Sequence, residues 1–354
     1  MWCPPSVRPQ ERNLASGWRC LDVTPDSHAF PIVFANSPIE VDPLTPEPPQ
    51  GAYFNLALRA WILSRHADVL AALREPALRQ EQGKQPHTRA QTLSALPSSR
   101  SAEWQAEIEF LAQEIVDGVP VHRSVDLVRE VLAPWTQEIA ILSLRDGAAG
   151  KSRLRTIQRA RAAPPGSLRS KLARARFELF FRKRPGEKSA FIGISETLPA
   201  FLANAWAALL RHPSELARLR TQSGLIPGAI DELLRYAGLV HSLVRQAASD
   251  VDLGGVRIAE GDRVVLKIAS ANRDPQRFVN PNCLDLSRQP AGHLSLGHGE
   301  HACIGGMLLR TAFAAILPAL LEHFANAGIA GEIEWRWGST LVSPSTLQIA
   351  PISQ

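Results

Sequence analysis

The chain has 354 residues, 45% of them apolar and 21% charged, with a net charge of +5. This is the make-up of an ordinary globular protein, with enough chain for a sizeable core, and it excludes a disordered or collagen-like polypeptide. No apolar run is long enough to span a bilayer, and the first residues, MWCPPSVRPQERN, lack the apolar centre of a secretory signal. We therefore expect a cytoplasmic protein with free thiols.

Residues 1–50 are rich in proline without sustained periodicity and predict an irregular segment. Trp61-Ile62-Leu63 predicts a strand, and Ala67 to Arg74 a helix stopped near Pro76. AEWQAEIEFLAQEIVDG predicts an amphipathic helix ending at Gly118, and SVDLVREVLAPWTQEIAILSL another with Pro134 inside it. Residues 150–190 carry basic helical material broken by Pro164-Pro165-Gly166. Without stacking aromatics or a nucleic-acid motif, this stretch reads as a solvated helix face rather than a contact for nucleic acid, acidic lipid or acidic protein.

SAFIGISETLPAFLANAWAALLRHP predicts a buried helix, apolar on most sides. PSELARLR and PGAIDELLRYAG predict two more helices with proline starts. From Val251 the chain reads as short strands joined by glycine turns. MLLRTAFAAILPALLEHFANAG returns to helix, and IEWRWGSTLVSPSTLQIAP predicts a closing hairpin. The fold class is mainly α with small β-sheets.

Three stretches carry chemistry. Glu232 and Arg235 stand i, i+3 on one helix and can pair, which on a surface is worth little. In GISETLP, the acid and alcohol Glu196 and Thr197 lie in an apolar run. Pro199 leaves the Ser195 carbonyl without its usual helix partner, which predicts a kink. The plainer reading is a helix start capped by Ser195 or Thr197. In LSLGHGEHACIGG, the single thiol of Cys303 is surrounded by glycines that let the backbone approach something closely. A helix begins soon after, and its dipole favours a thiolate. A lone thiolate suits the axial position of a haem iron. A buried cysteine in a glycine-rich loop fits the local chemistry equally well, while Cys3, Cys20 and Cys283 read as small buried hydrophobes.

LGHGEHACIGG resembles the haem-binding loop of the cytochrome P450 family, whose pattern is FGxGxHxCxG. The other pieces stand in that family's order: AIDELLRY resembles its ExxR helix, and ISETLPAFLANAWAALLRHPSEL its oxygen-binding helix. LVRQAASDVDLGGVRIAEGDRV and ANRDPQRFVNPNCLDLSRQ resemble the segments between ExxR and the cysteine. The resemblance runs from about Trp61 to the C-terminus. It implies one P450-like domain, 1–354, with a long central helix over the haem and a cysteine loop beneath it.

Carried over by position, Cys303 becomes the haem thiolate. His301, Arg245 and His87 become contacts to the propionates of haem b. Glu232 and Arg235 become a buried pair linked to the segment around Arg288. Thr197 would hydrogen-bond iron-bound oxygen, and Glu196 would relay protons. The chain departs from the family at Leu296 for phenylalanine, Gln91 for arginine and Ile194 for glycine, and it is shorter around residues 89–100 and 150–190. Leu296 is expected to loosen packing near the sulfur, and Ile194 to crowd the oxygen pocket.

The resemblance implies a monomeric monooxygenase of secondary metabolism. It would hydroxylate or epoxidise a small or medium apolar organic substrate, with electrons from a ferredoxin drawn to a basic face that includes Arg310. No nucleic acid and no membrane span are implied. A haem-thiolate enzyme that couples, dehydrates or uses peroxide is the alternative. A haem-free partner protein is less favoured, because Cys303 is retained.

Overall fold

The computed structural model describes residues 44, 46–80, 89–97, 101–144, 146–161, 163–164, 166–289, 292–338 and 340–352. The expected irregular segment 1–50 therefore lies almost wholly outside the described residues.

In chain order the strands are β1 (Tyr53–Asn55), β2 (Ala60–Leu63), β3 (Leu78–Arg79), β4 (Val125–Asp126), β5 (Leu243–Ala247), β6 (Val251–Leu253), β7 (Val256–Ile258), β8 (Arg263–Leu266), β9 (Ala327–Ile329), β10 (Glu334–Trp337), β11 (Val342–Thr346) and β12 (Gln348–Pro351). The helices are α1 (His66–Arg74), α2 (Arg89–Ala95), α3 (Ala102–Asp117), α4 (Ala133–Leu142), α5 (Ala148–Arg161), α6 (Leu168–Phe181), α7 (Pro185–Ile192), α8 (Leu198–Leu210), α9 (Pro213–Thr221), α10 (Ile226–Tyr236), α11 (Ile268–Ala271) and α12 (Gly306–His323). Helix dominates and the sheets are small, as the sequence predicts. None of these helices is long and apolar enough to cross a membrane.

The largest sheet has the order β1-β2-β8-β5-β3, with β2 and β8 parallel and the remaining pairs antiparallel. Two apolar cores support it. The helical core gathers Trp135, Phe181, Phe191, Phe201 and Trp206. A smaller core under the sheet gathers Leu63, Val69, Leu73, Val264 and Leu266.

The segment before Cys303 straddles both cores. Leu294 belongs to the sheet core, while Leu296 and Leu308 pack on the helical one. Burying one such side chain stabilises by roughly 1.5–3 kcal/mol. The loop between them is therefore anchored from two sides.

Two prolines write the same local structure twice. Proline has no N–H for the carbonyl four residues back, so a helix approaching it must re-pair. Before Pro199 the chain makes a π-helical turn over Gly193–Thr197, in which Leu198 N donates to Gly193 O. Before Pro134 it does so over Val128–Leu132, where Ala133 N donates to Val128 O. The predicted disturbance at Pro199 is thus a widened turn inside one helical run from α7 to α8. Ser195 and Thr197 do not cap a helix start there. π turns of this kind concentrate at functional sites.

The closing hairpin forms between β10 and β11, but β12 leaves it and joins β4 and β9 in a separate sheet. The hairpin turn is latched to the segment before β5. Val342 N donates to Leu239 O, and His241 N donates to Thr340 O. A buried amide on α8 completes the latch, Asn204 Nδ2 donating to Val342 O at 2.9 Å.

His241 lies in this latch, and its pKa is lowered to about 4 by burial, with Lys267 and Arg273 adding positive charge nearby. The folded pKa lies below the unfolded value of about 6.5, so as pH falls the unfolded chain takes up the proton first. The contribution is whole above pH 6.5 and declines toward pH 4, by on the order of 2–3 kcal/mol. Urea denaturation across this range should show the decline, and His241→Gln should flatten it. An unchanged slope in the variant would rule this group out.

Candidate functional site

The cysteine loop is built from backbone turns that need glycine. Gly297 has φ +69° and Gly299 φ +66°, both in the left-handed region. A Cβ on Gly297 would stand 3.2 Å from His301 O, and one on Gly299 3.4 Å from Leu73 O of α1. The chain folds back so that Cys303 N donates to Leu296 O at 2.7 Å. A single 3-10 turn over Gly299–His301 leads in, and α12 begins three residues after the cysteine. His298 is held by Arg74 of α1 at 2.8 Å.

Cys303 is exposed and is the free cysteine among the described residues. Cys283 is disulfide-bonded, which corrects the expectation of a free thiol there. The leucine in the family's phenylalanine position packs against the helical core, and a Cβ on Gly306 would meet its Cδ1 at 3.2 Å. A Gly297→Ala variant should lose ~1–2 kcal/mol from the left-handed backbone alone, together with much of its capacity to bind haem. Thermal melting and haem titration measure both, and wild-type values for the two would contradict the geometry.

Arg245 lies on β5 with 4% of its surface exposed. Its guanidinium donates from Nη1 to Val244 O at 3.0 Å, and it has no ion pair among the described residues. Burial alone lowers its pKa. A buried cation without a counter-charge is costly, and a bound anion relieves that cost.

Glu196 is exposed on the π turn, and Arg161, the last residue of α5, reaches it at 3.0 Å. The same guanidinium donates to Gln158 Oε1 and stacks 4.4 Å from the Phe177 ring. Sequence reading missed Arg161, which looked like one more charge in a basic stretch. Thr197 is half-buried on the same turn, and Ile194 is buried in the helical core. His301 is exposed, two residues before the cysteine. His87 lies outside the described residues. No direct hydrogen bond or ion pair joins Cys303, Arg245 and Glu196, which stand on three separate elements.

Behind the loop, Glu232 and Arg235 of α10 form a fully buried, two-pronged ion pair at 2.8 Å. Glu232 also accepts from Arg288 Nε and from Asp285 N, each at 3.1 Å. Arg235 donates to the carbonyls of Asn272, Pro281 and Cys283. This one pair therefore gathers the irregular chain that runs from β8 to the cysteine loop. Arg310, expected on an open basic face, is instead held by Asp231 at 2.6 Å and by Gly306 O. Burial raises the pKa of Asp231, but His293 and Arg310 outweigh it and hold the carboxyl below its usual value.

The sequence profile described as "Cytochrome P450" matches residues 219–329, which hold α10, the strands after it, the cysteine loop and α12. Over 142 residues the chain is 39% identical to the biotin biosynthesis cytochrome P450 of Bacillus subtilis, a match covering 40% of this chain and 36% of that protein. It is 42% identical over 144 residues to the monooxygenase PikC of Streptomyces venezuelae, covering 40% and 35%. These two matches thus reach about a third of each relative's length.

A longer match, 27% identical, joins 83% of the chain to 90% of cytochrome P450 107B1 of Saccharopolyspora erythraea. Among solved structures, the LnmA cytochrome P450 hydroxylase of Streptomyces atroolivaceus superposes with a TM-score of 0.69 at 25% identity, over 82% of this chain and 90% of that one. The fold is that of the solved cytochrome P450 structures, and the cysteine loop lies inside the segment that the family profile matches. The chain belongs to the cytochrome P450 family.

Family membership implies a haem-iron cofactor. The residues present fit one: a free thiol is displayed by glycine turns, and a buried guanidinium stands ready for a carboxylate.

Proposed function

We propose that this protein is a cytoplasmic, monomeric, single-domain haem b monooxygenase that hydroxylates or epoxidises a small or medium apolar organic substrate. Electrons would come from a separate ferredoxin. The observation that carries this reading is the free Cys303 thiol ahead of α12, with Arg245 buried on β5 and without an ion pair among the described residues. The leinamycin biosynthetic pathway to which the LnmA hydroxylase belongs supports secondary metabolism as its setting.

When bound, the haem supplies the redox chemistry of oxygen activation. Cys303 would hold its iron as a thiolate. Arg245, His301 and His87 would hold its propionates through charge-assisted hydrogen bonds. Glu196 and Thr197 would manage protons: the hydroxyl would donate a hydrogen bond, and the carboxylate would pass protons from water. Arg161 sets where the Glu196 carboxylate rests. Because that pair is partly solvated, it is worth no more than about 1 kcal/mol and can open and close during turnover.

The test is turnover under isotopically labelled dioxygen with a surrogate reductase and ferredoxin, across a panel of apolar compounds. One labelled oxygen atom in the product is expected. Product formed from peroxide alone, or product without label, would favour the coupling or dehydrating alternative.

A further inference from the structure

Helix α6 buries Ser170, Ala173, Phe177 and Phe181 on one face. On the opposite face stand Leu168, Leu172, Ala175 and Leu179, at spacings i, i+4, i+7 and i+11, which make one row along a helix. All four are exposed, and the leucines show 72%, 49% and 58% of their surface to solvent. A helix with a buried face inward needs no second apolar row outward, so this row calls for a partner.

Its flanks are cationic. Arg169 and Arg176 lie along one side of the row, and Lys171 and Arg182 along the other. All four are exposed and unpaired among the described residues. The one carboxylate on the helix, Glu178, is taken up by Lys188.

We propose that this face of α6 seats the protein on an anionic lipid surface. A convex leucine row with Lys and Arg on both sides suits a headgroup layer: the leucines enter the acyl boundary while the long cationic side chains snorkel to the phosphates. A second copy of the chain is disfavoured, because it would bring two cationic helices together. Nucleic acid is disfavoured, because it has no use for the leucines and the face offers no aromatic ring for a base. A protein partner needs roughly 800 Å² on each side and anchoring pockets, whereas this face offers a ridge without aromatic anchors.

The test is co-sedimentation of the full-length protein with vesicles of phosphatidylcholine, alone or with about one third phosphatidylglycerol. Binding is expected only to the anionic vesicles, and it should weaken in raised salt. Leu172→Asp/Leu179→Asp and Arg169→Glu/Arg176→Glu should each cut partitioning by about tenfold or more. Phe110→Asp, at an exposed position on α3, should leave it unchanged. Circular dichroism checks that each variant is folded. Equal binding to both vesicle types, binding to neither, or full binding by the leucine variant would overturn the proposal. So would saturable capture by an acidic protein without vesicle binding.

Discussion

A Glu232→Ala variant is expected to lose 3–5 kcal/mol of stability, approximately, and to accumulate little folded protein. Total stabilities of domains run to about 5–15 kcal/mol, so this is a large fraction. The cause is specific. Arg235 is fully buried, and without Glu232 its charge keeps only backbone carbonyls. Arg288 and the Asp285 N–H lose their acceptor in the same step. The double variant Glu232→Ala/Arg235→Leu should be milder than the sum of its parts, because it leaves no orphaned charge. Urea denaturation of the set measures this. A single-variant loss below about 1 kcal/mol would mean the pair behaves like a surface ion pair.

A Cys303→Ser variant is expected to remain folded yet lose turnover. The thiol is exposed and contributes nothing to either core, so its removal costs little packing. A hydroxyl would not replace the electron-donating thiolate on which the proposed chemistry depends. We expect an unchanged far-ultraviolet spectrum, a melting temperature near that of the parent without haem, and product formation below detection. Retained turnover in Cys303→Ser would remove the thiolate from the account.

Much of the scaffold is legible in the sequence because its signals are local. α3 follows its amphipathic period and stops at Gly118, and α9 and α10 each carry a proline in the first turn. β6 and β7 turn on Gly254-Gly255, both at positive φ. What escapes is non-local. β4 is two residues long and exists only because β12, more than two hundred residues later, pairs with it. β12 leaves the closing hairpin for the same reason. The doubled π turn was half visible: Pro199 signalled a disturbance, whereas Pro134 read as an ordinary residue inside a helix.

The site divides in the same way. Glycines at Gly297 and Gly299 and a lone cysteine before a helix can be read directly, and the order of motifs adds the ion pair of α10. The pairing of Arg161 with Glu196 could not be read, because a chain rich in arginine gives no sign of which one will find a given carboxylate. The same limit applies to Arg310, whose charge is taken up by Asp231, so attraction of an acidic donor cannot rest on that residue. The outward leucines of α6 were hidden in a stretch whose charge dominated its reading.

The central claim is that Cys303 binds haem iron as a thiolate. The most direct measurement is the carbon monoxide difference spectrum of the reduced, haem-loaded protein, recorded beside Cys303→Ser. The account predicts a long-wavelength Soret band in the parent that is absent from the variant. A short-wavelength band in both, or no haem uptake by the parent, would contradict it.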